Sequence, residues 1–293
     1  ELKRIRSRMW AESIPTLPFK GPVLAERLWG DVALRSMGDL DILVKPADAI
    51  RSHRVMLDLG YVPKVVVLPH QERPFVKYEH DRAYVRPVDG CVVELHWRLF
   101  DRYIAFELTD EELWGGLDDE GGGEIFPEVE LIILALHGAK HAWTSAGWIV
   151  DIGAMLLREE LDEHILFQLA RATGTFRALR LAHALAHAYL GVPLSEKMKK
   201  EIDDDPTVAE LCRETLEGPL SRNRSEEDLA DNPSFYLKTR ERAKDRLHYK
   251  WYWTLTPNID DQNAFHVPQR LSWLVYPVRI LRLLRKSWKS GRA

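Results

Sequence analysis

The segment Met37-Gly38-Asp39-Leu40-Asp41-Ile42-Leu43-Val44 constrains this chain more than any other. Leu40 to Val44 is short, branched and apolar, and Pro46 stops it, so it reads as a buried strand. Residues two apart on a strand share a face. Asp39 and Asp41 therefore project together, while Leu40 and Ile42 face the other way. Two carboxylates this close repel each other unless a cation or a proton comes between them. Hard oxygen ligands of this kind suit Mg²⁺ or Mn²⁺. The competing reading is a solvated strand end carrying two unrelated acids. Gly38 directly before the pair, and the apolar run after it, favour a site.

A third acid belongs on a neighbouring strand. Val92-Val93-Glu94-Leu95-His96 sets Glu94 among apolar neighbours, with His96 on the same face. A glutamate in such surroundings calls for a partner. Two metals held by three carboxylates can clamp a nucleotide triphosphate and activate an attacking oxygen for in-line displacement. In that arrangement Asp39 and Asp41 bridge both cations. Glu94 holds the cation that carries the acceptor, and can take the acceptor's proton.

The chain around these acids changes character twice. Up to about residue 100, short β-branched runs alternate with Gly and Pro. Ile14–Phe19 is a poor central strand because of Pro15 and Pro18. Pro22–Gly30 and Ala47–Gly60 read as helices. Leu40–Val44, Tyr61–Leu68, Arg82–Pro87 and Cys91–Leu95 read as strands, with Asp89-Gly90 as a hairpin turn. From Glu107 onward the periodicity predicts helices at about 127–145, 147–158, 162–172, 175–190, 195–202 and 206–217, a loop over 218–234, then helices over 239–252 and 268–288. No internal repeat is found. The expected division is an α/β module over 1–106 and a helical module over 107–293.

Composition narrows the function classes. With 41 Lys and Arg against 45 Asp and Glu among 293 residues, the chain does not hold nucleic acid by bulk charge. Two cysteines, Cys91 and Cys212, give neither a zinc pattern nor a disulfide framework, which fits a reducing cytoplasm. The apolar stretches fall short of the ~20 residues a membrane-spanning helix needs. Glu1 instead of Met is expected where a segment begins inside a longer chain. The opening Lys3-Arg4-Ile5-Arg6 leads into no apolar signal region. A Walker phosphate loop, a GxGxxG after a strand and a GxSxG elbow are all missing from the sequence, so kinase, dinucleotide and serine-hydrolase chemistry lack support.

Leu17-Pro18-Phe19-Lys20-Gly21, Leu28-Trp29-Gly30-Asp31 and Arg35-Ser36-Met37-Gly38-Asp39-Leu40-Asp41-Ile42-Leu43-Val44 resemble the signature of an uncharacterised bacterial nucleotidyltransferase family of the polymerase-β-like superfamily. Glu94-Leu95-His96-Trp97-Arg98-Leu99 resembles its second block. Leu136-His137-Gly138-Ala139-Lys140-His141-Ala142-Trp143, with Trp148-Ile149-Val150-Asp151-Ile152, resembles its third. The likeness covers about residues 14 to 160. It implies an α+β fold: a small mixed sheet forming a nucleotidyltransferase core with flanking helices, followed by an all-helical C-terminal region. It also implies Asp39, Asp41 and Glu94 as ligands of Mg²⁺ or Mn²⁺, and an NTP substrate, ATP in the first instance. The reaction is transfer of an NMP to a hydroxyl or phosphate acceptor with release of pyrophosphate. Relatives sit in varied settings, including peptide natural-product clusters, so a small molecule, a peptide or an RNA end all stay open as acceptor.

The chain departs from the superfamily where a Gly-Ser turn should hold the triphosphate. Here the turn reads Gly21-Pro22, and Pro22 brings no N–H and no hydroxyl. Lys20 and Arg35 can compensate through charge-assisted contacts to phosphate oxygens, against a reading as surface charge. Gly21, Gly38 and Lys140 join them on the nucleotide side, and Asp151 reads as an anchor between helices. The departure also motivates a rival of another class: a catalytically silent nucleotide- or protein-binding module, antitoxin-like or accessory.

The remaining features have structural readings beside functional ones. His137/His141 and His183/His187 each share a helical face, as zinc ligands do, yet Gly138 stands where an HExxH site needs Glu. Packing and hydrogen bonding are the expected roles. Trp143 and Trp148 can stack a base, or fill the core. Arg270, Arg279, Arg282, Arg285, Lys286, Lys289 and Arg292 give a basic amphipathic end that can meet RNA or anionic lipid, or lie on its own domain with its charges solvated.

Overall fold

A computed structural model describes residues 1–117, 123–218 and 233–256, together with Tyr276, Pro277, Arg279 and Leu281. Most of the expected basic end and nearly all of the 218–234 loop lie outside the described residues. The architecture is mixed α+β: a small five-stranded sheet and many helices, with a helical C-terminal region. No helix among the described residues is long and apolar enough to cross a membrane.

The strands are β1 (Thr16–Pro18), β2 (Leu40–Val44), β3 (Val62–Pro63), β4 (Asp81–Val85) and β5 (Val92–His96), in the sheet order β1-β2-β5-β4-β3. β4 and β5 form an antiparallel hairpin with Tyr84 opposite Val93 and Ala83 opposite Glu94. Its turn is the expected one: Gly90 adopts φ +72° and the Asp89 carboxylate accepts from Cys91 N–H at 3.1 Å.

By contact density the chain forms two units. One comprises Glu1–Thr16, Asp41–Ala105 and Leu247–Ala293, the other Leu17–Leu40 and Phe106–Arg246. In the first, α1 (Leu2–Ala11) packs on α3 (Ala49–Asp58), and α3 on α4 (Glu72–Tyr78). The hairpin's alternation then sorts its side chains. Arg82, Tyr84, Val93 and Leu95 are buried on one face, where Arg82 pairs with Glu72 at 2.9 Å and lies over the Phe75 ring. Asp81, Ala83, Glu94 and His96 occupy the other.

The second unit holds α2 (Gly21–Trp29), α5 (Asp110–Trp114), α6 (Pro127–Lys140), α7 (Ala146–Arg158), α8 (Glu163–Thr173), α9 (Phe176–Leu190), α10 (Glu196–Asp203), α11 (Pro206–Glu217) and α12 (Pro233–Thr239). Helix α9 is its hub, packing on α6, α7 and α11 through Leu179, Ala182, Leu185 and Ala186, all fully buried. The ends follow the sequence signals. Asp162, Ser195 and Asp205 cap α8, α10 and α11 with side-chain oxygens, and Gly174 and Gly191 close α8 and α9 in the left-handed conformation.

Three expectations need correction. The Tyr61–Leu68 strand is only Val62–Pro63: Pro63 and Pro69 cannot donate to a ladder, Val66 and Leu68 are exposed, and a single further bond joins Lys64 N–H to Ala83 O. The helix expected over 239–252 is interrupted, because Arg240 turns fully inward and ion-pairs with Asp245 at 3.1 Å; α13 (Ala243–Leu255) starts afresh. The helix expected over 127–145 ends at Lys140, where Ala142 and Trp143 take φ near +50°. Helices α1 and α4 lie where the sequence reading placed no element.

Candidate functional site

The acids meet on the polar face of the sheet. Strands β2 and β5 are neighbours, so Asp41 and the pair Glu94/His96 come from adjacent strands. Asp41 is buried, 7% exposed, and its Oδ1 lies 3.0 Å from His96 Nε2. Glu94 Oε2 lies 3.6 Å from the same nitrogen, and its side chain is about a third exposed, at 34%. One ligand atom each from Asp41, Glu94 and His96 falls within 4.8 Å of the others.

The electrostatics of this cluster centre on His96. Burial alone would lower its pKa, but the hydrogen-bonded carboxylates of Asp41 and Glu94 outweigh it and raise the ring to about 9. The ring thus sits between two carboxylates, bonded to Asp41 and 3.6 Å from Glu94. A divalent cation seated among the same atoms would balance both carboxylates with more charge than a ring proton supplies. Two carboxylates and one imidazole form a donor set compatible with Mn²⁺, and with Mg²⁺ through the oxygens. Beside it, the His80 ring lies 5.8 Å from that of His96, with His80 Nδ1 3.2 Å from both Asp81 and Asp101.

The other residues singled out in the sequence fall as follows. Asp39 is half-buried immediately ahead of β2 and is not one of the three residues in this cluster. Lys20, Gly21, Arg35, Gly38 and Lys140 belong, with Asp39, to the second unit. Lys20 and Gly21 are both left-handed, at φ +54° and +44°, and the turn they make opens α2 with Pro22 in its first turn. Glu130 of α6, itself buried, accepts from Lys20 N–H at 3.3 Å and pairs with Arg27, which also meets Glu159 at 2.8 Å. Lys20 Nζ lies 3.3 Å from His137 Nδ1. A Cβ added to Gly21 would lie 3.6 Å from Asp39 O, so this turn and the start of the carboxylate segment are backbone neighbours. Arg35 grips Asp151 through Nε and Nη2 at 3.0 and 2.9 Å, which leaves Nη1 outside the pair. Lys140 is the last residue of α6 and is half-buried.

The histidine pairs hold bonds of other kinds. His183 and His187 each bond a backbone carbonyl, of Leu179 at 2.9 Å and of Val192 at 2.8 Å. His137, His141 and Trp148 pack their rings together, 4.8 to 5.6 Å apart. Trp143 is fully buried. His96 is the residue the sequence reading left without a role, although its spacing of two from Glu94 was the available signal.

Asp41, Glu94 and His96 thus form, on one face of the small five-stranded sheet, a cluster whose atoms could hold a metal ion. A family described as "Uncharacterised nucleotidyltransferase" matches residues 1–191, and the chain belongs to that family. No curated protein and no solved structure matches the chain.

Proposed function

We propose that the protein is a metal-dependent nucleotidyltransferase that moves an NMP from an NTP, ATP being the first to test, to a hydroxyl or phosphate acceptor with release of pyrophosphate. The observation that supports this reading is the convergence of Asp41, Glu94 and His96 within a member of a nucleotidyltransferase family. Asp39, just ahead of β2, Asp41 and Glu94 would hold Mg²⁺ or Mn²⁺, with His96 beside Asp41. A cation held there would supply charge to balance the triphosphate and would acidify an acceptor hydroxyl. Glu94, the more exposed of the two clustered carboxylates, takes the acceptor's proton, while buried Asp41 fixes the His96 ring. Lys20, Gly21, Gly38, Arg35 and Lys140 serve the nucleotide, Arg35 through the nitrogen that Asp151 leaves free.

One observation favours the silent-module reading: Pro22 stands in the first turn of α2 and offers no N–H to a phosphate. Titration calorimetry of ATP and the other NTPs with Mg²⁺ or Mn²⁺, beside an Asp39→Asn/Asp41→Asn variant, separates the two. Metal-dependent binding lost in the variant, with pyrophosphate release once an acceptor is supplied, supports catalysis. Binding indifferent to metal and mutation supports the silent module.

A further inference from the structure

We propose that a cleft beside α13, distinct from the acidic cluster but in the same unit, binds a ligand that joins an aromatic ring to an anionic group. Lys77, Tyr78, Arg102, Trp251, Tyr252 and Tyr276 line it, around a cavity of about 300 Å³. That is the lower end of the range for small-molecule sites.

The lining is both cationic and aromatic. Lys77 Nζ lies 5.2 Å from the Tyr78 ring, and the Tyr78 and Tyr276 hydroxyls meet at 2.9 Å. Arg102 donates to Lys77 O at 3.1 Å and its own carbonyl accepts from His248 Nε2 at 2.8 Å; the His248 ring stacks on Tyr252 at 4.3 Å. Two walls of the cleft are thereby fixed before any ligand arrives. Arg98 stands near Arg102, and both burial and that neighbour depress its pKa. Among the described residues no carboxylate comes within 4 Å of Lys77, Arg98 or Arg102. A positive cluster with no carboxylate neighbour among the described residues, next to Trp251, itself 63% exposed, suits a phosphate or carboxylate carried on a stacking ring.

The ligand's role, though not the site, rests on the transferase reading: it is the acceptor, or the base and phosphates of the NTP. The segment Lys77-Tyr78 runs through Glu79 into His80, whose ring packs beside His96, so cleft and cluster share one stretch of chain.

Calorimetric titration of the full chain with phenyl phosphate, AMP and inorganic phosphate, without divalent metal, tests the proposal. Phenyl phosphate and AMP should bind at least about tenfold more tightly than inorganic phosphate, and Lys77→Ala and Trp251→Ala should each weaken them about tenfold. Both side chains are exposed, so the variants should keep the wild-type circular dichroism. Absence of binding at millimolar concentration, or binding unaltered by both substitutions, overturns the proposal. So does loss of binding in Glu94→Gln, which would move the ligand to the acidic cluster. With Mg²⁺ and a non-hydrolysable ATP analogue present, competition assigns the supported site to the NTP, and simultaneous binding assigns it to the acceptor. Failure of the transferase reading registers separately, as phenyl phosphate binding without pyrophosphate release in the presence of NTP.

Discussion

Trp143 occupies the space that a side chain on Gly138 would need: a Cβ built there comes 2.6 Å from the indole ring. In the sequence Gly138 stood in the third family block and excluded a zinc protease motif. In the fold it lets α6 end against a fully buried tryptophan that sits at φ +52° and hydrogen-bonds back to Gly138 O at 2.8 Å. Gly138→Ala should therefore destabilise the protein by about 1–3 kcal/mol, the usual cost of overpacking, read as a lower urea midpoint at unchanged slope. The same limit on legibility applies to the site. Period-two spacing brings Asp41, Glu94 and His96 onto shared faces, and the sequence shows that much. The sequence reading also set Glu94 on a strand neighbouring the carboxylate pair, as β5 is to β2; the hydrogen bond between His96 and Asp41 depends on the register of those two strands, which no local pattern encodes.

Among the elements, those predicted best carry their own start and stop chemistry. Capping Asp and Ser residues and closing glycines marked α8 to α11 to within a residue or two. The strand over Tyr61–Leu68 had β-branched composition, but its pairing with β4 stops after Lys64, and Val65, Val66 and Leu68 are exposed. Helix α2 shows an element start fixed from a distance. Its left-handed Lys20-Gly21 turn is held by Glu130, 110 residues later, which also meets Arg27. Burial pushes the Glu130 carboxyl up from its ordinary pKa, and Arg27 draws it back. Replacing Glu130 removes the most buried of Arg27's carboxylate partners, leaving Glu159 and Glu124, and takes away the carboxylate that accepts from Lys20 N–H. Glu130→Leu should cost about 3 kcal/mol, whereas Glu130→Gln, which keeps an acceptor oxygen, should cost about 1 kcal/mol, both measured by urea denaturation.

For the molecule as a whole, the packing around α9 makes stability depend on pH through one histidine. His183 is buried in that helix, and burial lowers its pKa from 6.5 to about 4, against the smaller opposing effects of the Leu179 carbonyl and Glu163. The unfolded chain binds a proton at this ring below about pH 6.5, and the folded chain does not until about pH 4. Folding is therefore fully supported by this group above pH 6.5, and loses that support as pH falls through the window. The loss reaches about 3 kcal/mol at pH 4, from a shift of roughly 2.5 units at about 1.36 kcal/mol each. Buried carboxyls with raised pKa values, Glu130 and Asp151, act in the opposite sense, so the total pH profile mixes signs. The difference between wild type and His183→Leu isolates the histidine. Urea titrations of both at pH 7, 6, 5 and 4 should show the wild type losing about 3 kcal/mol relative to the variant across that series. Parallel profiles would mean that α9 opens enough to solvate the ring, and that the helical core is less tightly closed at His183 than its 7% exposure requires.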